Sequence, residues 1–519
     1  MRAAQGHCDR WRWPRAGWGQ RLVAAFLVWG MGFVLPAAEL WVIDPRGLPP
    51  AEQALLASLQ GQLNRTNATL WLRGVGASTW VLDEVRAEGM TCRTNLTVWT
   101  ALERSRDRVQ GFITCSVTNA SLNVATSLAG PRRAVVADVS LRPALVAQGW
   151  RELLDVRGLS EMAAWTQFRA DFTAGVLVHQ PWNKPLHLRD LAVARGAFTC
   201  FEVTPVERTR VVRELGPGTR VFGWGRDEHE FVGEVSAGGG VVIPSDWALN
   251  LSALARLPAT IPSRPRRPVP TPLQAGERVV AFVVTDGDNV QWLLNGFVDS
   301  PGFWASPQRG RFAVTWELAP ALAQLAPRVC ARLFRTATDH DDFIAGPSGD
   351  GYWFPSRSPD AAAVARDGAR AMAEAQLELT TVLNSGGSME AADVVAAVPG
   401  VRGVLYKDYA PYHKWHGAVR WAAGKPIVSY RHLLWEQKRA DGTLRPDWLP
   451  EGVAAAIERL PAGVARNAES FALINVHAWS FRDSGGPMGA IARTVERLPA
   501  GTRVVTATEF FALLGTDGK

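Results

Sequence analysis

Apolar runs alternate with polar segments along the chain at spacings that predict both strands and helices. The longest strand-like run is residues 279–284 (VVAFVV). A run that is apolar on both faces is typical of a strand inside a parallel sheet or barrel, covered by helices. It stops at residues 285–289 (TDGDN), and ligands bind at the carboxyl ends of strands in such folds. We therefore predict a site at this strand end. The alternative is a loop whose Asp and Asn residues cap a helix beginning near Val290.

The C-terminal part of the chain, residues 276–519, repeats this pattern with helices between several of the strands. The predicted strands are residues 279–284, 311–316, 342–345, 377–383, 403–406, 426–430, 471–476 and 502–505. About eight strands with intervening helices favour a (β/α)-barrel-like domain. A seven-stranded or distorted barrel fits equally well, because the third strand is short.

Residues 39–257 form a separate N-terminal region in which short strands and helices alternate at close range. This pattern predicts a multi-part α/β region of two or three small subdomains. Residues 258–275 are rich in proline, which neither a helix nor a central strand tolerates, and we interpret them as a linker. The predicted fold class is therefore α/β, with an N-terminal α/β region followed by the C-terminal barrel-like domain.

Residues 1–38 have the composition of an export signal. Arginines, among them Arg10, Arg12, Arg15 and Arg21, precede the apolar residues 22–36, and Ala37 and Ala38 follow. We expect a secreted or periplasmic protein. The apolar segment is short for a membrane span, so no stable span is expected in the mature chain, although an uncleaved anchor is the alternative.

Charge and cysteine content indicate which classes of partner and cofactor to expect. The net charge of +7 comes from scattered arginines, with one dense block at residues 264–267 in the linker, so nucleic acid is not an expected partner. No Cys/His cluster suggests zinc, and we expect no cofactor. Cys92 and Cys115 could form a disulfide in an oxidising compartment. The sequence does not indicate an oligomeric state.

Carboxylates and aromatic residues collect at the predicted strand ends, which is the composition that sugar hydrolysis requires. One carboxyl group donates a proton to the leaving oxygen, and a second attacks the sugar or activates water. The candidate catalytic residues are Glu317, Asp286, Asp288 and Asp408, with Glu509 as a further carboxyl. Glu317 is the predicted proton donor, because apolar neighbours raise the pKa of a carboxyl group. Asp286 or Asp288 is its predicted partner.

Substrate binding is expected from polar and aromatic residues in the same loops, since aromatic faces cover the apolar faces of sugar rings. The candidates are Asn289, Trp292, Asp350, Tyr352, Trp353, Tyr409, Arg431, His477 and Trp479.

Residues 349–355 (GDGYWFP) resemble the signature of the GxGYxYP family of bacterial proteins, with Phe354 in place of the second Tyr. Residues 285–292, 188–191, 245–252 and 476–480 resemble the same family, so the likeness runs from about residue 40 to residue 515. It implies an exported, sugar-processing protein with a multi-part N-terminal region and a barrel-like C-terminal domain. It supplies no established reaction. We expect Tyr352 and Trp353 to present their rings to the cleft, whereas the alternative is a loop that braces the barrel.

The predicted function is hydrolysis of glycosidic bonds in a poly- or oligosaccharide. One alternative is a metal-dependent carbohydrate deacetylase, in which Asp286, Asp288 and His477 would hold a divalent metal. The other is a glycan-binding protein without catalytic activity.

Overall fold

Three small parallel sheets precede one large sheet along the chain. The computed structural model describes residues 39–264, 270–462 and 468–515. The predicted signal peptide at residues 1–38 and the middle of the predicted linker therefore lie outside the described residues.

Residues 39–257 contain the three small sheets, all of whose strand pairs are parallel. The first sheet has the order β2-β1-β3, the second β5-β4-β6 and the third β10-β9-β7-β8. The strands are β1 (Glu39–Ile43), β2 (Leu70–Leu72), β3 (Thr91–Arg93), β4 (Gly111–Cys115), β5 (Ala134–Asp138), β6 (Glu152–Asp155), β7 (Val176–His179), β8 (Phe198–Cys200), β9 (Arg220–Gly223) and β10 (Val241–Ile243).

Helices connect these strands and bury their apolar faces against the sheets. They are α1 (Pro50–Leu63), α2 (Ala77–Ala87), α3 (Val98–Glu103), α4 (Ser121–Arg132), α5 (Arg142–Ala147), α6 (Glu161–Phe168), α7 (Arg189–Arg195), α8 (Pro205–Leu215), α9 (Glu228–Ala237) and α10 (Leu251–Leu254). Helix α1 packs against β5 and α7 and so joins the first sheet to the other two.

The large sheet has the order β18-β19-β11-β12-β13-β14-β15-β17-β16, and β20 pairs with the beginning of β11. Its pairs are parallel except for the antiparallel pair of β16 and β17. The strands are β11 (Arg278–Val284), β12 (Val314–Leu318), β13 (Asp341–Ala345), β14 (Leu379–Asn384), β15 (Gly403–Asp408), β16 (Val419–Ala422), β17 (Lys425–Ser429), β18 (His432–Leu434), β19 (Phe471–Val476) and β20 (Thr502–Val504).

The helices of this part are α11 (Val290–Trp292), α12 (Leu322–Leu325), α13 (Pro327–Thr336), α14 (Ala361–Glu374), α15 (Asp393–Ala396), α16 (Pro450–Glu458), α17 (Gly486–Val495) and α18 (Ala507–Gly515), and a π-helical segment, Leu293–Phe297, continues α11. Short 3₁₀ helices cover Arg169–Asp171, Pro355–Arg357, Met389–Ala392, Pro446–Trp448, Ala468–Ser470 and Arg482–Ser484. Within the described residues, no helix is both long and apolar enough to cross a membrane.

The two ends of the large sheet meet at one short piece of chain. Strands β17 and β18 are separated only by Tyr430 and Arg431. The Tyr430 N–H donates to the carbonyl of Tyr406 on β15, and the Arg431 N–H donates to the carbonyl of Leu473 on β19. Backbone pairing therefore passes from β15 to β19 through this segment, and the sheet curls into a barrel-like layer.

Side chains inside the curled sheet form their own apolar cluster, separate from the one under the helices. The interior cluster includes Val279, Ala281 and Val283 of β11, and their neighbours Val280, Phe282 and Val284 pack outward. Helix α18 joins the interior cluster through Phe510 and Phe511 and covers the amino ends of the strands. The opposite end, where the strands finish, is the mouth of the barrel.

Residues 349–355, here called the signature segment, attach the third small sheet to the large one. Val242 of β10 and Tyr352 exchange two backbone hydrogen bonds, of 2.9 and 2.8 Å. A Cβ on Gly351 would lie 2.7 Å from the Val242 carbonyl oxygen, so only glycine permits this approach. The signature thus ties the N-terminal region to the barrel next to its mouth.

The predicted α/β fold class with a barrel-like C-terminal domain is confirmed. Two strands extend further than the sequence pattern indicates: β12 runs to Leu318 and β15 runs to Asp408. Polar residues taken to follow these strands therefore lie within them, and strand alternation decides which way they point. The disulfide that the sequence allowed between Cys92 and Cys115 does not form, because both cysteines are free and belong to different sheets.

Candidate active site

A layer of buried polar side chains lies inside the barrel just below the mouth. It consists of Glu317 from β12, Lys407 from β15 and Asn475 from β19, all on the interior face. The Lys407 Nζ lies 4.0 Å from Glu317 Oε1, and the two side chains are only 4% and 0% exposed. The same ammonium group donates to Asn475 Oδ1 over 3.5 Å. A buried carboxylate is therefore paired with a buried cation at the floor of the mouth.

The turn after β11, residues 285–289, contacts this layer of buried polar side chains directly. Asp286 has φ of +71°, a left-handed conformation that is strained for a residue other than glycine. Its N–H donates to Glu317 Oε2 over 3.0 Å, and the Thr285 hydroxyl donates to Asp286 Oδ2 over 2.7 Å. A Cβ on Gly287 would overlap the Glu317 carbonyl group, so the turn depends on glycine there. These contacts hold the partly exposed carboxylate of Asp286 in one position.

Burial changes the proton affinity of the neighbouring carboxyl groups. Burial, together with the negative charges of Asp286 and Glu317, raises the pKa of Asp288 well above its usual value. Burial also raises the pKa of Glu317, although the Lys407 ammonium group opposes this shift. Asp288 is 9% exposed, and within the described residues no side chain or backbone group donates a hydrogen bond to its carboxyl group. That carboxyl group is therefore free to interact with a ligand.

A further carboxyl group enters the mouth from the N-terminal region. Glu228, the first residue of α9, accepts a hydrogen bond from the Tyr352 hydroxyl over 3.1 Å. Burial raises the pKa of Glu228; the bond from Tyr352 opposes this shift, and the charge of Asp286 reinforces it. Glu228 therefore lies close enough to Asp286 for the two charges to interact, and the site is shared between the barrel and the third small sheet.

Aromatic rings form one wall of the mouth. Trp435 stacks on His477 with ring centres 4.3 Å apart, and on Tyr412 with centres 5.6 Å apart. Burial raises the pKa of Tyr412, and the charges of Glu228 and Asp286 add to the shift. Burial lowers the pKa of His477, whereas the charge of Asp286 opposes that change. The charge of Asp286 acts on both Tyr412 and His477, so this wall lies next to the carboxylates.

Comparisons with protein families agree with this organisation. A model described as "GxGYxYP putative glycoside hydrolase C-terminal domain" matches residues 277–515. The third-domain model of the same family matches residues 174–256, and the first-domain model matches residues 39–107. The chain belongs to the GxGYxYP family. The signature that gives the family its name is the segment that joins β10 to the mouth of the barrel.

A solved structure has the same fold along nearly the whole chain. It is described as a putative hydrolase from Bacteroides thetaiotaomicron, and its TM-score to this chain is 0.81. The two sequences are 23% identical over 92% of this chain and 95% of the other, a level that establishes the fold alone. No curated protein matches the chain.

Six of the predicted site residues of this GxGYxYP chain come together at the mouth. They are Asp286, Asp288, Glu317, Tyr352, Tyr409 and His477. Tyr409 lies at the rim, where its ring centre is 4.7 Å from that of His229. Tyr352 is buried beneath the rim and reaches the site through its hydroxyl group.

Two carboxyl groups predicted to be catalytic or available for catalysis lie elsewhere. Asp408 is within β15, so strand alternation turns it away from the interior position of Lys407. Its carboxylate accepts hydrogen bonds of 3.3 Å from Lys414 Nζ and Trp415 Nε1. Glu509 accepts bonds from the backbone and hydroxyl groups of Thr506 at the start of α18, at the opposite end of the barrel. Neither faces the mouth.

Two predicted binding residues are held by other parts of the fold. Asp350 forms an ion pair with Arg220 of β9. Arg431 follows Tyr430, whose ring points into the barrel, so its own side chain points outward and donates to the carbonyl of Ala468. Both predictions assumed that a residue near a strand end faces the ligand.

The remaining predicted binding residues serve the local packing. Asn289 accepts a hydrogen bond from the Trp292 N–H and caps α11, as the alternative interpretation of this turn expected. Trp353 is 1% exposed and donates its indole N–H to the Ser348 carbonyl, so its ring does not reach the cleft. Trp292 is buried against Phe297 and Phe303, and Trp479 packs on it with one part exposed.

The site residues predicted from the sequence do not include Glu228, Lys407, Asn475 and Tyr412. Asn475 could have been found from strand alternation, because it lies within the predicted strand 471–476 and shares a face with apolar interior residues. Lys407 lies beyond the predicted end of its strand at Tyr406, so alternation along the predicted strand did not reach it. Glu228 gave no such signal, because it reaches the site only through the packing of α9 next to Tyr352.

The structure does not assemble the residues of the deacetylase alternative into a metal centre. In residues 39–264, 270–462 and 468–515, no three His, Cys, Asp or Glu side chains are arranged to hold a metal ion. His477 instead shares a hydrogen bond of 3.0 Å between its Nδ1 and the Ser480 hydroxyl.

Proposed function

We propose that this protein is a glycoside hydrolase whose reaction takes place at the mouth of the barrel, between Asp286 and Asp288. The observation that carries the proposal is the pairing of a held, partly exposed carboxylate with a buried carboxyl group whose pKa is raised well above its usual value. Glycosidic bond cleavage needs two carboxyl groups in different protonation states, and different surroundings create that difference.

Asp288 donates the proton in this mechanism. Its raised pKa favours the protonated form of the carboxyl group, and within the described chain no other group donates a hydrogen bond to it. The proton passes from Asp288 to the leaving glycosidic oxygen as the bond between that oxygen and the anomeric carbon breaks.

Asp286 supplies the negative charge on the sugar side. It either attacks the anomeric carbon or takes a proton from the water that attacks, and the anomeric configuration of the product reports which of these occurs. Its strained backbone and its bond from Thr285 fix the carboxylate before the substrate arrives.

Glu317 has a positioning role in this proposal and is not the proton donor. Its side chain is fully buried, and one of its oxygens is occupied by the Asp286 N–H. Glu228 and Tyr412 border the same space and are suited to hydrogen bonds with sugar hydroxyl groups. The description of the family's C-terminal domain as a glycoside hydrolase domain supports a carbohydrate substrate.

The test compares two classes of substrate in the same variants. An acid variant, Asp288→Asn, should lose at least about a hundredfold in rate on an unactivated oligosaccharide and far less on dinitrophenyl glycosides, whose leaving group needs no proton. Asp286→Asn should lose activity on both. A broad panel of oligosaccharides supplies the unactivated substrate.

The results of these experiments distinguish between Asp288 and Glu228 as the acid, and between an enzymatic and a binding function. If Glu228→Gln, and not Asp288→Asn, recovers activity on the activated glycosides, then Glu228 is the acid. If both aspartate variants cleave oligosaccharides at the wild-type rate, the proposed site is wrong. If the wild-type chain binds oligosaccharides and cleaves neither class of substrate, a binding function replaces the enzymatic one.

A further inference from the structure

Ser385 and His229 meet at the rim of the mouth in a contact that the carboxylate chemistry does not use. Ser385 directly follows β14, and His229 is the second residue of α9. The Ser385 Oγ lies 2.7 Å from His229 Nε2. A serine hydroxyl within hydrogen-bond reach of an imidazole nitrogen is the arrangement of an activated nucleophile and its general base.

The imidazole ring is held in place by aromatic neighbours. Its centre lies 4.7 Å from that of Tyr409 and 5.6 Å from that of Phe354. Phe354 is itself buried, and its backbone N–H donates a hydrogen bond to the Ser236 hydroxyl on α9. The ring of His229 is therefore oriented by packing, which keeps Nε2 directed at the serine.

A cation lies next to both groups. Arg357 Nη2 is 3.1 Å from Ser385 Oγ and 3.1 Å from His229 Nε2. Among the described residues Arg357 forms no ion pair, and the residue as a whole is exposed. An unpaired positive charge at this distance from a nucleophilic oxygen can stabilise the oxyanion that forms during acyl transfer.

The backbone after the serine offers further donors. Gly386 and Gly387 have φ of +79° and +85°, and the space beside Gly386 is open for at least 4 Å. Within the part of the chain that the structure describes, neither of their N–H groups donates a hydrogen bond. The residue after a nucleophile commonly supplies one N–H of an oxyanion hole.

We propose that Ser385 and His229 form a second catalytic site, which hydrolyses carboxylic esters of sugar hydroxyl groups, such as O-acetyl groups. The Ser385 oxygen attacks the ester carbonyl while its proton moves to His229. The bond between the carbonyl carbon and the sugar oxygen then breaks, and that oxygen takes the proton. Water then gives a proton to His229 and attacks the carbonyl carbon. The bond between that carbon and the Ser385 oxygen breaks, which releases the acid, and the proton passes from His229 to the serine oxygen.

The ester hydrolysis shares no reacting group with the proposed glycoside hydrolysis, but the choice of a sugar ester as substrate rests on that proposed function. The Ser385–His229 pair nonetheless lies close to the carboxyl groups of the mouth. Tyr409, which packs on His229, has a pKa raised by burial and by the charge of Glu228, the carboxyl group beside Asp286. A glycan bound at the mouth would therefore bring its ester substituents to the rim.

The test uses the purified full-length chain, a fluorophosphonate probe and 4-nitrophenyl acetate. The probe should label Ser385, as located by peptide mass spectrometry. Ser385→Ala should abolish labelling and lower ester hydrolysis by at least about a hundredfold, and His229→Asn should lower it to a similar extent. Cleavage of activated glycosides should be retained in Ser385→Ala.

The matched control is Ser388→Ala in the same loop, whose hydroxyl accepts a bond from the Glu390 N–H and does not touch His229. This variant should be labelled and hydrolyse the ester like the wild-type chain. Absence of labelling in the wild-type chain, labelling at another serine, or unchanged ester hydrolysis in Ser385→Ala would each overturn the proposal. Thermal unfolding of each variant excludes misfolding as the cause of a loss.

Discussion

The backbone N–H of Asp286 donates a 3.0 Å hydrogen bond to Oε2 of Glu317, a carboxylate that has no contact with solvent. The other oxygen of Glu317 faces the ammonium group of Lys407 at 4.0 Å. The position of a partly exposed carboxylate at the mouth thus depends on a buried ion pair beneath it. Asp286 and Glu317 both lie near predicted strand ends, yet the first is partly exposed at the mouth and the second is buried beneath it.

Glu317→Gln should lower kcat about ten- to hundredfold through displacement of Asp286, with little change in KM. The loss should be equal on activated and unactivated glycosides, because Glu317 gives no proton to the leaving group. Kinetics on both substrate classes measure this. Recovery on the activated glycosides alone would return the role of proton donor to Glu317.

Lys407→Met should destabilise the fold, because it leaves the buried Glu317 carboxylate without its cation. Lys407 lowers the pKa of Glu317, so its removal raises that pKa further. A carboxyl group with a raised folded-state pKa contributes most stability at low pH and loses it as pH rises through that pKa. Urea unfolding should therefore show a larger loss at pH 8 than at pH 5.

The double variant Glu317→Gln, Lys407→Met is the control for this pair. The double variant should be more stable than Lys407→Met at pH 8, since neither charge of the buried Glu317–Lys407 pair remains. A pH-independent loss in Lys407→Met would mean that packing of the lysine stem, rather than the ion pair, determines its contribution.

The sequence was sufficient to predict the fold class and the turn at residues 285–289, because a buried strand and its polar end are local features. It could not predict which residues of β15 face inward. The strand was expected to end at Tyr406, whereas it continues to Asp408, and the choice between Lys407 and Asp408 follows from alternation along the extended strand. The position of Glu228 at the mouth depends on the pairing of Val242 with Tyr352, a long-range contact that no local sequence pattern encodes.

Gly287→Ala should disrupt the turn, because the added Cβ would overlap the backbone of Glu317. We expect a loss of stability of roughly 1–3 kcal/mol and a larger loss of activity, since the shift would displace both Asp286 and Asp288. Circular dichroism during denaturation, together with kinetics, measures the two effects. Gly296→Ala is the matched control, because a Cβ there meets no atom within 4 Å. Equal behaviour of the two variants would contradict the tight approach.

Asp408→Asn should leave kcat/KM within about twofold of the wild-type value, despite the position of this residue next to Lys407. Its carboxylate is engaged by Lys414 and Trp415, so the expected effect is a loss of about 1 kcal/mol in the free energy of unfolding. Kinetics alongside chemical denaturation would measure both. A hundredfold loss of activity without loss of stability would bring Asp408 back into the reaction.

Glu228→Gln should move the alkaline limb of the pH–rate profile to lower pH. Asp288 has to be protonated to act as the acid, so the rate falls as pH rises through its raised pKa. Burial is the main cause of that shift, and the charge of Glu228 is one of the smaller contributions. Its removal lowers the pKa of Asp288 and makes proton loss occur at lower pH. The exposed Glu230, on the same helix, gives the control variant Glu230→Gln, whose alkaline limb should not move. If the limb also stays in place in Glu228→Gln, then the ionisation that limits the rate at high pH is not that of Asp288.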